Sequence, residues 1–345
     1  MKRLKKSIIR IKNFIRLLNR ERKSVVSTTL SQKIHCYSRG FLSESSIIYN
    51  FKVNNSKYYL TDYARYTKAP FLNIDFGYLI DNKFLFDLYF SNTIKGLGLI
   101  CSGVFYGNDD AKPVLPVIYN LLRSGKSLVI KPLAGGGGFG ILFVSVNKDR
   151  LIVNGKASND IELLTELNSS KGYILYNHFN QKGFSHLFYP PSLNTLRVVT
   201  MIDPKTKQPF IPIAVHRFGT KQSGNVDNWS NGGLSANINI ETGFMGKAVA
   251  YPVKGKLEWH SVHPDSRAQI EGIQIPVWNR VKEMVLSSAN KISMIPYIGW
   301  DVVISDNDIY ILEANTNSDV NLLQVHKPLL LINGVTEFFN YHKVL

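Results

Sequence analysis

Lys131 stands in an apolar, β-branched run, SLVIKP, and four residues later the chain enters a glycine run that closes at Gly140. Gly135, Gly137 and Gly140 satisfy GxGxxG, but a dinucleotide fold needs a helix after those glycines. Here the strand-like ILFVSV follows. No GxxxxGK[ST] run occurs, which excludes a Walker A loop. A strand–glycine–strand hairpin is left. Such a hairpin can lie over phosphates with its N–H groups exposed, as the glycine loop of protein kinases does. A kinase itself is excluded, because its lysine follows the glycines and no HRD or DFG lies downstream here. The plainer alternative is a set of glycines that only closes a tight turn. The position of Lys131 beside the loop favours phosphate binding.

A second group of residues lies near the C-terminus. Glu313 and Asn315 alternate on the strand-like IYILEAN, so their side chains leave one face. Asp301 interrupts the apolar stretch YIGWDVVIS on the adjacent strand of an expected hairpin, joined by the turn Asp306-Asn307-Asp308. Two carboxylates and an amide oxygen form a hard, all-oxygen set suited to Mg²⁺ bridging nucleotide phosphates. Ordinary polar residues at strand ends are the alternative, but a lone carboxylate inside an apolar run is costly to bury.

Other candidates carry less. His260 and His263 form HxxH without a third ligand of matching type, which speaks against zinc. Arg217, after His216, is open to two roles: a contact to a substrate carboxylate or a structural pairing. Asn231-Gly232-Gly233 lets a backbone approach a ligand closely, or simply turns a hairpin. No convincing Ser-His-Asp or Cys-His set is present.

The elements that must position these groups are strands at SLVIKP, ILFVSV, GYILYNHF (172–179), LRVVTMID (196–203), FIPIAVHRFG (210–219), IGWDVVIS and DIYILEAN. A short helix is expected after a Ser158 cap, carrying Ile161, Leu164 and Leu167. Residues 265–293 read as helical through Ile270, Val277, Val281 and Val285. The fold class is α+β with much antiparallel pairing. The 345 residues, 44% hydrophobic and 19% charged, exclude wholesale disorder and suit two to three structural units. No apolar stretch approaches the ~20 residues of a membrane span. No secretory signal is visible, and Cys36 and Cys101 make no disulfide framework, so a reducing, cytoplasmic setting is expected.

The net charge of +16 is unevenly spread. Residues 1–23 hold ten Lys/Arg against Glu21, a net +9. Leu4, Ile8, Ile11, Ile15 and Leu18 recur there at helical spacing, widened by Ile9, Phe14 and Leu17. This reads as a basic amphipathic helix. It suits an anionic membrane surface, where each cation contributes roughly 1 kcal/mol. The alternative is a helix packed on its own body or a sister subunit. Without a nucleic-acid fold motif, no nucleic-acid partner is expected.

With those residues placed, the chain resembles the ATP-grasp superfamily. VIKPLAGGGGFG is similar to its lysine strand and glycine-rich lid, and WDVVIS…YILEAN to its metal-binding end. SLNTLRVVTM, AVHRFG, NVDNWSNGGLSANINIETG and the HP at 263–264 resemble most closely the sugar-transfer-associated ATP-grasp branch, over roughly residues 70–330. The resemblance implies two α+β subdomains clamping ATP. Segments 1–24 (basic helix), 25–110 (N-terminal α/β region), 111–180 (lid subdomain) and 181–345 (C-terminal catalytic subdomain) follow from it. It implies that Lys83 and Lys131 contact phosphates, Lys131 also reaching the adenine edge. It implies that the backbone from Gly136 through Gly137 and Gly138 to Gly140 covers the β- and γ-phosphates. Tyr176, Asn177 and His178 would form the adenine-reading hinge, and Arg197 would steady the transferring phosphoryl group. Asp301, Glu313 and Asn315 would hold Mg²⁺. Where the family hinge usually carries glutamates, one of them on the ribose, this chain has Asn177 and Asn180. The implied activity joins a small carboxylate to an amine through an acyl phosphate, with a glycan-linked substrate among the options, in the making of cell-surface polysaccharide at the inner membrane face. The rival readings are a phosphotransferase acting on a sugar or lipid hydroxyl, and a non-catalytic nucleotide-binding component of a polysaccharide assembly complex.

Overall fold

Two sheets organise the chain, each of eight strands among the described residues. The computed structural model describes residues 2–108, 110–148, 150–168, 172–252 and 255–345, with side chains from Ser7 onward. The side chain of Leu4 and four cations of the basic arm lie outside the described residues. The chain divides into two units. One holds 78–180 and 310–313, and the other holds 1–77, 181–309 and 314–345. The expected 25–110 region is shared between them, parting after Gly77.

In the unit of residues 78–180 the strands are β1 (Gly98–Cys101), β2 (Val104–Tyr106), β3 (Ala111–Pro113), β4 (Leu128–Pro132), β5 (Leu142–Asn147), β6 (Arg150–Val153), β7 (Lys156–Ala157) and β8 (Tyr173–Asn177). Their order is β3-β2-β1-β8-β4-β5-β6-β7. Alternation along β4 decides its two faces. Leu128 and Ile130 join a core with Ile118, Leu163 and Leu167 from the helices Val114–Arg123 and Asp160–Leu167. Val129 joins Ile174 and Tyr176 on the other face. Lys131, two residues after Val129, shares that second face. The helix at 160 starts differently from the sequence expectation. Asn159, not Ser158, is its cap, accepting from the Glu162 N–H, while the Ser158 hydroxyl bonds the Glu162 carboxylate. Ile161 is exposed, and Leu163 takes the inward position instead.

The other unit contains β9 (Leu196–Ile202), β10 (Pro209–Phe210), β11 (Ala214–Phe218), β12 (Leu234–Ile238), β13 (Met245–Ala250), β14 (Trp259–His260) and β15 (Tyr297–Ser305). Beside β15 in the sheet runs β16 (Asp308–Asn315). Every residue of β9 and β15 is buried, as expected of central strands covered on both sides. On one side Val199, Met201 and Val215 pack with Tyr49, Tyr59, Phe338 and Phe339. The helix Trp278–Lys291 packs on β9, β10 and β15 through an inward stripe that includes Val281, Val285 and Ala289. The helix expected over 265–293 is therefore only its second half. Ile270 lies outside it in turn structure, where Gly272 has positive φ and Val262 bridges Gln269. Periodicity alone could not see those turns.

Two helices of the N-terminal segment matter below: α1 (Lys2–Arg22) and α2 (Leu30–Tyr37). α1 packs on the body through Asn13 and Leu17, both buried. Arg20 reaches Glu44 (3.3 Å) and the Tyr251 hydroxyl (3.1 Å). Among the described residues no helix is long and apolar enough to cross a membrane.

Candidate active site

In the unit of residues 78–180, β4 and β5 pair as a hairpin, with Leu128 opposite Val144 and Ile130 opposite Leu142. The loop between them is exposed and takes positive φ at Gly135, Gly137, Gly138 and Gly140, a conformation that side chains other than glycine rarely adopt. Lys83 opens the helix Lys83–Tyr89 behind the Asn82 cap. Its ammonium donates to the Gly135 carbonyl (3.0 Å) and stands 4.0 Å from the Glu313 carboxylate. Lys131 lies over the Tyr176 ring, 5.1 Å from its centroid. The Tyr176 hydroxyl donates to buried Asp87 (3.0 Å), and burial with that carboxylate pushes the phenol well up. Burial also raises Asp87, against the pull of the Gly96 N–H and Tyr176. One loop, two lysines, a carboxylate and an aromatic platform thus meet in one unit.

The implied hinge is partly committed elsewhere. The His178 N–H donates to the Ser127 carbonyl (2.8 Å), and its ring pairs with the Asn180 amide oxygen (3.0 Å). Asn177 is exposed at the end of β8.

In the other unit, Arg197 on β9 sits opposite Asp301 on β15. Nε meets Oδ1 at 2.5 Å and Nη2 meets Oδ2 at 3.0 Å, the two-point fork that suits guanidinium and carboxylate. Arg217 on β11 adds a second guanidinium at 3.0 Å from Asp301 Oδ2. It also lies 3.3 Å from Asp227. Thr195 joins the set: its hydroxyl donates to Asp227 (2.5 Å) and accepts from Arg217 Nε (3.0 Å). Burial pushes the Asp227 carboxyl up while Arg217 pulls it down. Arg197 Nη1 donates to Ser318 (3.0 Å). Gly299 makes room for this: a Cβ there would stand 2.6 Å from the Ser318 side chain and 3.3 Å from Arg197 Cδ. Two buried arginines, the buried Asp301 and the partly buried Asp227 thus balance in charge and fix one another. Asn315 ends β16.

The remaining candidates are internal. His263 is buried, its Nε2 on the Gly219 carbonyl (2.8 Å) and its Nδ1 accepting from Asp265 and Ser266. His216 is fully buried and held down to about 3 by burial and Arg217. At Gly232 and Gly233 the close approach is to Gln222 and to the backbone of 227–228. Sequence reasoning missed Asp87, Thr195 and Asp227. Asp87 had a signal, a lone carboxylate inside the apolar KFLFDLY; Asp227, in the polar NVDNWSN, had none.

The model of the sugar-transfer associated ATP-grasp family matches residues 79–336. The chain belongs to this family. The fold is accordingly an ATP-grasp fold, and the lysine strand, glycine hairpin and β15–β16 pair all lie within the matched residues. Solved structures similar to this family member include D-alanyl-alanine synthetase A of Vibrio cholerae O1, at 11% identity and TM-score 0.40, covering 76% of this chain and 66% of that one. D-alanine–D-alanine ligase of Bacillus anthracis is similar at 15% identity and TM-score 0.37, with coverages of 77% and 69%. The Staphylococcus aureus N5-carboxyaminoimidazole synthetase complexed with ADP is similar at 12% identity and TM-score 0.38. That match spans 74% of the ATP-grasp chain but only about half (51%) of that synthetase. Among curated proteins no match is found.

Proposed function

We propose that this ATP-grasp chain is an ATP- and magnesium-dependent ligase that joins a carboxylate to an amine. A carboxylate oxygen attacks the γ-phosphorus and ADP leaves. The amine nitrogen then attacks the acyl carbon, phosphate leaves, and the amine gives up a proton. The observation that supports this reading is the placement of cations without a side-chain nucleophile: Lys83 and Lys131 beside the glycine hairpin, and Arg197 and Arg217 held by Asp301. A reaction in which two anions must meet needs fixed positive charge more than covalent catalysis.

In this reading Lys83, Lys131 and the backbone of Gly136–Gly140 bind the phosphates, and the hairpin keeps water from the acyl phosphate. Tyr176 to His178 border the adenine, and Asn177 and Asn180 meet the ribose. Arg197 steadies the moving phosphoryl group and Arg217 the substrate carboxylate. Asp301, Glu313 and Asn315, all hard oxygen donors, would hold the magnesium. Among the described residues no three His, Cys, Asp or Glu side chains gather as a metal site, so an amide, water and phosphate oxygens have to complete the shell. When bound, the ion neutralises charge on the phosphates. The sugar-transfer association of the family supports an amino acid and a sugar acid as substrates, in cell-surface polysaccharide synthesis, at the cytoplasmic membrane face.

Glu313→Gln tests the assignment. It removes a ligand charge at an intermediate-exposure site, so the fold should survive while magnesium-dependent ATP binding weakens and ADP formation stops. Unchanged ADP formation in that variant overturns the magnesium site.

A further inference from the structure

α1 turns the wrong side outward for a helix that serves only its own body. Ile8, Ile11, Ile15 and Leu18, at helical spacing, are 48%, 61%, 50% and 54% exposed, and Phe14 beside them is 46% exposed. The opposite side is fixed: Asn13 and Leu17 are buried, Arg20 holds Glu44, and Glu21 accepts from the Ser43 N–H and hydroxyl. The stripe is therefore left outward, and among its described residues only Leu17 is buried. Lys12 and Arg16 are exposed and, at 100° per residue, border it along one side. α2 repeats the pattern. Leu30 and Ile34 are 73% and 61% exposed, and the Tyr37 hydroxyl ends against Glu21 of α1.

We propose that this outward apolar stripe of α1, with the exposed cations along its border, docks on an anionic lipid surface. The apolar residues enter the acyl boundary while the cations meet the headgroups, the division of labour of an interfacial helix. Charge complementarity selects this occupant. Residues 1–23 carry a net +9, of which Glu44 answers only Arg20 among the contacts described. A second copy of the chain would bring an equally basic helix alongside, and like charges oppose that pairing. The proposal gives a surface to the membrane placement made above and rests on that placement, not on the ligase chemistry.

The test is flotation of the full chain with vesicles, without any substrate, so that failure of the ligase reading leaves it untouched. Vesicles of phosphatidylglycerol and phosphatidylcholine in equal parts should carry the protein, and phosphatidylcholine alone should carry about tenfold less or worse. Raising the salt should release it. The pair Ile11→Ser with Ile15→Ser and the pair Lys12→Glu with Arg16→Glu should each lose about tenfold in binding. Both pairs alter exposed side chains, and unchanged melting curves confirm that they fold. Binding that ignores both pairs overturns the proposal, as does no binding by the parent chain. A dimer in solution that the serine pair dissolves, with no vesicle binding, assigns the stripe to a second copy and overturns it too.

Discussion

Arg197 and Asp301 are direct cross-strand partners on β9 and β15, and their side chains close a two-point ion pair in a fully buried stretch of sheet. Asp301 also receives Arg217, so one carboxylate holds two guanidinium groups. Asp301→Asn leaves two buried cations facing Asp227 alone. The expected loss is about 3–5 kcal/mol of unfolding free energy, measured by urea denaturation without magnesium or nucleotide. A variant as stable as the parent would show that Asp301 serves a ligand only, with no part in the buried network.

Thr195 ties Asp227 to Arg217. Thr195→Val keeps the shape and removes the hydroxyl, leaving two charged groups short of a partner. Turnover should fall by about tenfold to a hundredfold, the equivalent of ~1–3 kcal/mol, with little change in ATP affinity. Equal losses in both would move Thr195 from carboxylate handling to nucleotide binding.

Lys83 joins the glycine loop to Glu313. Lys83→Met keeps the stem and removes both contacts. ATP affinity measured calorimetrically, with no carboxylate substrate present, should drop by about tenfold, ~1.4 kcal/mol. An unaltered affinity would separate Lys83 from the phosphates.

The lysine strand, the glycine hairpin and the β15–β16 pair were legible because each joins an apolar β run to a chemically conspicuous residue. The short helix at 160 was legible in kind and misread in detail, because Asn159 and Ser158 are equally good caps and only packing chooses Leu163 over Ile161. The Arg217–Asp227–Thr195 connection was not legible. It joins residues from β11, a polar loop and the start of β9, and no local pattern in a sequence links a loop carboxylate to a strand arginine. For α1 the sequence left an outward and an inward stripe both open for the same reason: periodicity gives the stripe, and only the body decides which face it covers.

The buried His216 and the partly buried His326 make stability depend on pH. Burial lowers His216, and likewise His326, from 6.5 to about 3. In this range the unfolded chain binds the proton and the folded chain does not. Their contribution is therefore full above about pH 6.5 and is lost as pH falls toward 3. Between pH 7 and pH 5 each should remove about 2 kcal/mol. Urea melts of His326→Gln should show a shallower fall than the parent over that interval; an identical slope would mean that His326 takes up a proton while folded.

The step on which the ligase reading turns is attack of a carboxylate on the γ-phosphate of ATP. Incubating the chain with ATP, magnesium, hydroxylamine and libraries of uronic acids and amino acids tests it most directly, since hydroxylamine intercepts an acyl phosphate as a hydroxamate. A hydroxamate is expected in step with ADP, dependent on the carboxylate and reduced in Arg197→Ala more than ATP binding is. ADP formed with a phosphorylated hydroxyl compound, and no hydroxamate from any carboxylate, would contradict it.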